Sequence, residues 1–442
     1  MKQYDEYKAS GFDWIGDLSN KWEVKRLRFI CEFRNGYTPS KTNPDFWTDG
    51  TIPWYRMEDI RDSGRHLNEA KQYITEEAVK GGGLFDAGSF ILATTATIGE
   101  HAVLIVDSLA NQQFTNLKIR KSLTDYVRQD FFFYYLYVID DYCKSTTNTA
   151  TFASVNMNDL RNVPIPIPPI DEQKLIVDFI DKKCGAIDKV ITTQKRRIEL
   201  LDELKQSIIT EVVTRGLNPD ATLRDSSIDW IGKIPEHWEI KQLKHSATKK
   251  GCCFIDGDWI ESPQIIDNGI RYITTGNVGT LKYKEQGDSY ISEETFKQLN
   301  CSEVHPGDIL ISRLNEPIGR SCIMPNLGIR VITSVNNVIY RPDISSYDKR
   351  YLIYYLNNIR FTEHANIEAR GATMHRMSRS MLGHQKILVP PLKEQKAIAN
   401  YLDLKCEILD NAISKATHEI ELLQELKQSI ITEAVTGKIK VY

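Results

Sequence analysis

The chain contains the same helical sequence twice. Residues 199–211 read Glu-Leu-Leu-Asp-Glu-Leu-Lys-Gln-Ser-Ile-Ile-Thr-Glu, and residues 421–433 repeat them 222 positions later with Gln424 in place of Asp202. An internal repeat constrains the architecture before any other feature does, because each copy builds the same local structure. We therefore expect two related halves, each with a globular region followed by a long helix.

Apolar residues in and around both copies recur close to every 3.5 positions, with Lys, Glu, Asp and Gln between them. This spacing predicts long coiled-coil helices, the first from about 171 to 214 and roughly 65 Å long. A single helix of this kind cannot bury its stripe of apolar residues alone, so we expect the two helices to pack together. The alternative is two separate core helices in unrelated domains. The stripe positions, which are also candidate partner contacts, are Ile187, Ile198, Leu201, Leu204, Ile208, Leu409, Ile420, Leu423, Leu426 and Ile430.

A second repeated pattern precedes each globular region. Residues 13–25 carry Asp-Trp-Ile-Gly and then Trp-Glu-Val-Lys, and residues 229–241 carry Asp-Trp-Ile-Gly and then Trp-Glu-Ile-Lys. Each globular region closes with a proline-rich strand, at 163–169 and 387–391, which forces extended backbone just before the helix. The predicted segments are a globular region at 1–170, a helix at 171–215, a linker at 216–228, a globular region at 229–392 and a helix at 393–442.

Inside both globular regions, apolar runs lead into polar loops. Residues 52–60 and 270–278 each read as a β-strand running into a loop. Residues 88–99 and 307–319 each read as a buried strand, a polar loop and an Ile-Gly return. With an aromatic helix predicted around 131–137, the fold class is α+β.

Length and composition bound the possible functions. A chain of 442 residues with 41% hydrophobic and 26% charged residues has room for two or three domains with real cores. We expect no membrane span and no signal peptide, and therefore a cytoplasmic protein. The formal net charge of −3 does not indicate nucleic-acid binding. A positively charged DNA-binding surface would therefore have to be assembled by folding or supplied by a partner.

The motifs of covalent chemistry are missing from the sequence. No phosphate loop of the G-x-x-x-x-G-K-[S/T] type and no G-x-G-x-x-G after a strand occurs. The histidines form no Ser/His/Asp or Cys/His arrangement, and the eight cysteines form no C-x-x-C pair. We expect a non-catalytic chain with no metal and no cofactor of its own.

Together these motifs resemble the specificity subunit of type I restriction–modification systems, over the whole chain. The resemblance is carried by the two Asp-Trp-Ile-Gly segments, by Gly36-Tyr-Thr-Pro-Ser40, by Pro-Pro-x-x-Glu-Gln-Lys at 168–174 and 390–396, and by the duplicated helix. In the second half, Lys249-Lys-Gly-Cys-Cys-Phe254 stands where a second Gly-Tyr-Thr-Pro-Ser would fall.

The resemblance implies a function and a set of partners. Two target recognition domains would each read one half of a split double-stranded DNA sequence, and the helices would form an antiparallel coiled coil with a pseudo-two-fold repeat. The coil would hold two methyltransferase subunits, with endonuclease/translocase subunits joining them; S-adenosylmethionine, ATP and Mg would be used by those partners. The alternatives are the recognition subunit of a type IIB-like restriction–methylation enzyme and a coiled-coil scaffold that does not bind DNA.

Base reading needs polar side chains projected from loops into the DNA grooves. The candidates are polar loop residues beside strands, whereas Gln112 and Gln113 are expected to brace the fold. In the first half the candidates are Tyr37, Thr38, Ser40, Lys41, Tyr55, Arg56, Glu58, Thr94, Thr95 and Thr97. In the second half they are Thr275, Asn277, Arg313, Asn315, Arg370, His375 and Arg376.

Overall fold

The chain folds into two compact units in a computed structural model that describes residues 4, 6–12, 15–146, 154–369 and 375–441. The first unit consists of residues 1–194 with 418–442, and the second of residues 195–417. Both long helices therefore contribute to both units. Across the described residues, no helix combines the length and the apolar character needed to cross a membrane.

The described residues of the first unit form twelve strands. They are β1 Tyr7–Ala9, β2 Asp17–Ser19, β3 Glu23–Arg26, β4 Cys31–Asn35, β5 Ile52–Tyr55, β6 His66–Leu67, β7 Tyr73–Ile74, β8 Phe90–Ala93, β9 His101–Leu104, β10 Leu109–Ala110, β11 Phe114–Ile119 and β12 Pro164–Ile167. Its helices are α1 Leu27–Ile30, α2 Met57–Ser63, α3 Gln129–Thr146, α4 Met157–Asn162 and the start of α5 Ile170–Arg215.

A five-stranded sheet in the order β4-β11-β8-β9-β6 organises the first unit. Strand β8 is fully buried, as its apolar sequence predicts, and it pairs antiparallel with both β11 and β9. The predicted aromatic helix is α3, which buries Phe131, Phe132 and Tyr135 in the core instead of presenting them to solvent. A second sheet, β10-β5-β7, pairs β5 parallel with β10.

The second unit repeats this plan. Its strands are β13 Leu223–Asp225, β14 Lys233–Pro235, β15 Glu239–Gln242, β16 Cys253–Asp256, β17 Ile270–Ile273, β18 Tyr290–Ile291, β19 Glu303–Val304, β20 Ile309–Ser312, β21 Ser321–Ile323, β22 Val331–Thr333, β23 Asn337–Arg341 and β24 Lys386–Val389. Its helices are α6 Glu293–Gln298, α7 Lys349–Leu356, α8 Ile359–Glu368, α9 Arg379–His384 and α10 Leu392–Val435. The order β16-β23-β20-β21 corresponds to β4-β11-β8-β9, and β17 pairs parallel with β22 as β5 does with β10.

The repeated Pro-Pro-x-x-Glu-Gln motif is explained by the fold. In the first unit, Glu172 accepts a hydrogen bond from the Trp22 indole at 3.0 Å. The Gln173 amide donates to the carbonyls of Tyr126 and Pro168, both at 2.9 Å. Glu394 and Gln395 make the equivalent bonds in the second unit, to the Trp238 indole and the Ser346 and Pro390 carbonyls. The motif therefore fixes the start of each long helix to its own domain, because buried polar groups need such partners.

The end of α10 completes the core of the first unit. Ile431, Val435 and Ile439 are buried there with Trp22. A Cβ on Gly437 would lie 3.0 Å from the Trp22 ring, and this glycine has a positive φ of 73°. Gly216, which follows α5, lies in the same way against Trp238 in the second unit.

Both predicted long helices are present, although the second ends at Val435 and not at 442, and the predicted linker contains a short strand. Residues 216–228 are not a plain connection, because β13 lies within them and pairs antiparallel with β14. The strand forms because Arg224 also anchors this segment, donating from its guanidinium to the Trp238 carbonyl at 2.8 Å. The five predicted segment boundaries stay a prediction.

Candidate nucleic-acid interface

Four loops of the first unit are joined by backbone hydrogen bonds at one end of its sheets. They are the glycine loop (36–42), the turn loop (110–113), the hairpin loop (94–99) and the bridge segment (154–156). Tyr37 N–H donates to the Ala110 carbonyl at 2.9 Å and Thr94 N–H to the Gln113 carbonyl at 2.9 Å. Val155 N–H completes the network by donating to the Thr94 carbonyl at 2.9 Å.

The second unit contains the same network. Its glycine loop is 257–265, its turn loop 333–336, its hairpin loop 313–319 and its bridge segment 375–377. Asp258 N–H donates to the Thr333 carbonyl at 2.8 Å and Arg313 N–H to the Asn336 carbonyl at 2.9 Å. Met377 N–H donates to the Arg313 carbonyl at 3.0 Å, as Val155 does to Thr94. The two units thus present four loops in one shared geometry.

Glycine is required at the start of each glycine loop because the backbone of the turn loop passes close by. A Cβ on Gly36 would lie 2.1 Å from the Asn111 carbonyl oxygen, and a Cβ on Gly257 would lie 2.3 Å from that of Thr333. Neither distance is sterically possible. The counterpart of Gly36-Tyr-Thr-Pro-Ser40 is therefore the segment starting at Gly257, and the expectation that Lys249–Phe254 stands there was wrong.

Several predicted first-half residues lie on these loops. Thr38 is partly exposed and donates from its hydroxyl to the Gln112 side chain at 2.5 Å. The other loop residues with at least partly exposed side chains are Ser40, Lys41, Thr95 and Thr97. Gln112 is exposed and accepts the Thr38 hydroxyl, and Gln113 accepts from the Asn111 amide at 3.2 Å. Both contacts agree with the bracing role expected from the sequence.

Three first-half candidates make contacts within the fold. Tyr55 is fully buried, and burial raises the pKa of its hydroxyl. Thr94 is buried and shares a hydrogen bond with Thr115 at 3.0 Å. Tyr37 spans from its loop to the Ala78 carbonyl and the Lys80 N–H. Tyr55 and Thr94 were wrong as base contacts because a polar residue at a strand end can turn inward to satisfy the loop backbone, which the sequence does not reveal. Tyr37 is partly exposed and stays a prediction.

Arg56 and Glu58 lie at the start of α2, outside the four loops. The two side chains form an ion pair with each other, and Glu58 also lies 3.9 Å from the Lys71 ammonium. The Arg56 N–H is capped by the Asp59 carboxylate at 2.7 Å. They remain partly exposed candidates in a position beside the loops.

In the second unit, three predicted residues lie on the hairpin loop and bridge segment. Asn315, His375 and Arg376 are exposed, and His375 lies 3.0 Å from the Glu316 carboxylate. Thr275 is joined to the hairpin loop through Arg320, whose guanidinium donates to the carbonyls of Thr275 and Asn315. Arg370 lies outside the described residues.

Two second-half predictions were wrong because the side chains are buried. Asn277 accepts from Thr274 N–H and donates to the carbonyls of Lys284 and Gln286, so its amide closes a backbone turn. The side chain of Arg313 is only 3% exposed; it lies 2.8 Å from Asp256 and donates to the Met377 and Val335 carbonyls. Burial lowers the pKa of the Arg313 guanidinium, with Asp256 acting in the opposite direction.

Basic side chains that the sequence reading did not single out surround the base of the loops in the second unit. Lys244, His245, Arg379 and His384 line a cavity of about 440 Å³ between the segment after β15 and helix α9. The Arg379 guanidinium also lies 3.6 Å from Asp256, the residue before Gly257. Lys244 and Arg379 are thus two cationic side chains at this cavity, of the kind that contacts a phosphate backbone.

The long helices carry a second repeated surface. Leu204 and Leu426, assigned to the coiled-coil stripe, are 47% and 49% exposed. As helix-packing positions they were wrong, because Lys205, one position after Leu204, is the residue whose side chain is only 14% exposed. As partner contacts they stay a prediction. The remaining stripe residues are buried or partly buried: Ile187, Ile198, Leu201, Ile208, Leu409, Ile420, Leu423 and Ile430.

The family model described as the type I restriction modification DNA specificity domain matches this chain twice, at residues 19–201 and 235–426. The type I restriction enzyme EcoprrI specificity subunit of Escherichia coli is 42% identical over 182 residues, which span 39% of this chain and 45% of that protein. The MjaVIII specificity subunit of Methanocaldococcus jannaschii is 24% identical over 98% of this chain and 97% of its own.

One solved structure shares the fold over nearly the whole length. It comes from work on complex assembly and conformational transition of the type I R-M system; the match has a TM-score of 0.66 at 18% identity and covers 96% of this chain and 99% of that one. The duplicated four-loop network agrees with a domain that occurs twice. This chain therefore belongs to the type I restriction modification DNA specificity domain family and carries two copies of its domain.

Proposed function

We propose that this chain is the non-catalytic DNA-reading subunit of a type I restriction–modification complex, with each unit reading one half of a split double-stranded DNA target. The observation that carries the proposal is the duplicated four-loop network. The backbone bonds are the same in both units, but the exposed side chains differ: Thr38 and Gln112 in one, Asn315 and Arg376 in the other. The same backbone arrangement carrying different exposed polar side chains is suited to reading two different half-sites.

Cationic and histidine side chains at one cavity of the second unit support the proposal. Lys244, Arg379 and His384 lie beside the loops of the second unit, where they suit phosphate contacts that position the protein without reading bases. The exposed loop residues would then provide base contacts. The base-reading candidates are Thr38, Ser40, Lys41, Thr95, Thr97, Thr275, Asn315, His375 and Arg376, with Tyr37, Arg56, Glu58 and Arg370 as further candidates.

The proposal predicts that loop variants in the two units affect different half-sites. Thr38→Ala in the first unit and Arg376→Ala in the second should each weaken discrimination at one base pair by about 1–3 kcal/mol. The measurement is binding of the methyltransferase complex to duplexes altered at each position of the target. Each variant is the control for the other; effects of both on the same half-site, or on neither, would contradict the assignment.

We propose further that α5 and α10 pack as an antiparallel coiled coil. In the first unit, the Lys427 ammonium lies 2.7 Å from the Asp188 carboxylate, and in the second the Lys205 ammonium lies 2.5 Å from Asp410. The two ion pairs are repeat-related. Residue 205 lies 17 positions after 188 on α5, and its partner 410 lies 17 positions before 427 on α10. Partner positions that run in opposite directions along the two helices are typical of an antiparallel pair.

The ion pair at Asp410 offers a test of this register. Burial acts to raise the pKa of the Asp410 carboxyl, but hydrogen bonds from Lys205 and Lys282 outweigh it and lower the pKa. Asp410→Lys should reduce the melting temperature by placing three ammonium groups together, and the double variant Asp410→Lys with Lys205→Asp should recover part of the loss. A double-mutant cycle in thermal unfolding measures the coupling. A coupling of zero would argue against the pairing.

The partners proposed for this chain are two methyltransferase subunits and the endonuclease/translocase subunits that join them, on which S-adenosylmethionine, ATP and Mg would act. The repeated helix face favours a partner present in two copies. Leu200 and Leu204 are exposed in the second unit, and their repeat counterparts Leu422 and Leu426 are exposed in the first to the same degree. The cytoplasmic location expected from the sequence stays a prediction.

A further inference from the structure

Trp259 is the aromatic residue of the second unit's glycine loop, and 66% of its surface is accessible to solvent. Tryptophan is normally well buried, since its ring contributes a large apolar area to a core or interface. Ile265 and Ile266 follow in the same region and are 38% and 40% exposed. This loop, whose charged residues are Asp258 and Glu261, therefore also presents apolar side chains to solvent.

The backbone beneath Trp259 is held on several sides. Asp258 N–H donates to the Thr333 carbonyl at 2.8 Å, and the Asp258 carbonyl accepts from Val335 N–H at 2.9 Å. The Asp258 carboxylate accepts from Ser302 N–H at 3.0 Å. An exposed ring on a fixed backbone loses little entropy on binding, which is typical of a preorganised contact.

The position of Trp259 in the repeat indicates its role. The glycine loops start at Gly36 and Gly257, so Trp259 corresponds to Thr38 of the first unit. Thr38 is a partly exposed candidate that donates to Gln112. The same site thus carries a hydroxyl in one unit and an indole in the other, which is the variation expected where the half-sites differ.

Cationic side chains lie on the segments next to the loop, where they could contact phosphates. Arg379 lies 3.6 Å from Asp256, which directly precedes the glycine loop, and Arg376 is exposed on the bridge segment. Building on the proposed function, we infer that Trp259 is a DNA contact of the second unit, its ring packing against nucleotides of one half-site. Proteins use exposed aromatic and apolar side chains in this way to stack on bases or wedge between base steps.

The test compares Trp259→Ala, Trp259→Phe and Ile344→Ala in complex with the methyltransferase subunits. Ile344 is the matched control because it is 69% exposed in the same unit but lies outside the four loops. The probe is a labelled duplex carrying the methylated motif of the wild-type complex. We expect Trp259→Ala to bind about 10- to 100-fold more weakly, since a stacked ring contributes on this scale, and Trp259→Phe and Ile344→Ala to stay within about threefold of wild type.

Three results would overturn the inference. Binding of Trp259→Ala within twofold of wild type would remove the contact, and loss of the methyltransferase subunits from this variant would reassign the ring to a protein interface. A loss shared equally by Trp259→Phe would exclude ring packing. Failure of the proposed function is a separate outcome, because the wild-type complex would then methylate no split motif.

Discussion

Arg313→Ala is expected to destabilise the second unit without relaxing its base preference. The buried guanidinium pairs with Asp256 and donates to the Met377 and Val335 carbonyls. Its removal leaves the two carbonyl groups without this donor and leaves Asp256 with only the more distant Arg379 guanidinium, at 3.6 Å. Breaking a buried ion pair costs roughly 3–5 kcal/mol, and the lower value suits Asp256, which is partly exposed. A loss of about 3 kcal/mol lowers the melting temperature by about 6–12 °C in a unit of this size.

Thermal unfolding followed by circular dichroism provides the measurement, and Arg376→Ala is the control. Arg376 is exposed on the neighbouring bridge segment, so its removal should change stability by no more than about 0.5 kcal/mol. The methylated motif of Arg313→Ala, determined below its melting temperature, should match that of wild type. An unchanged melting temperature together with a relaxed motif would return Arg313 to the DNA-reading residues.

Leu204→Glu combined with Leu426→Glu is expected to separate the chain from its methyltransferase partners while leaving it folded. Both leucines are about half exposed, so a carboxylate there costs the isolated chain little. At a closed apolar interface the same carboxylate would be desolvated, and a loss of 2 kcal/mol or more weakens binding by about 30-fold or more. Either single variant should lose one partner copy and keep the other, because each leucine belongs to a different unit.

Native mass spectrometry of the purified complex distinguishes these cases. We expect two methyltransferase subunits with wild type, one with each single variant and none with the double variant. Leu404→Glu is the matched control: Leu404 is 57% exposed on α10, but its repeat counterpart is Lys182, so the apolar character is not duplicated. Full occupancy in the double variant would exclude this helix face as the docking surface.

The sequence predicted the repeated plan because period and composition determine it. The duplicated helix, the buried strands β8 and β20 and the aromatic helix α3 all follow from apolar spacing, which reports burial directly. The glycine loop of the second unit was not found, because its signal is a single glycine. Only the tertiary structure reveals that the Gly257 backbone lies against Thr333.

Side-chain direction at the ends of strands was the part that the sequence could not settle. Thr94 and Arg313 occupy the same place in the two hairpin loops, and both turn inward to satisfy neighbouring groups. Thr95 and Asn315 are the neighbours that remain accessible. On the helices, Lys205 was overlooked because a lysine is not expected at a mostly buried position, although the Asp410 carboxylate lies 2.5 Å from its ammonium group.

The methylome of cells expressing this chain with its neighbouring methyltransferase gene tests the central claim most directly. We predict one new methylated motif with two specified parts, an unspecified spacer between them and modification on both strands. The two parts should be read separately by the two units, as their different loop side chains imply. A stable complex with the methyltransferase that adds no new motif would contradict the account and favour a scaffold that does not read DNA.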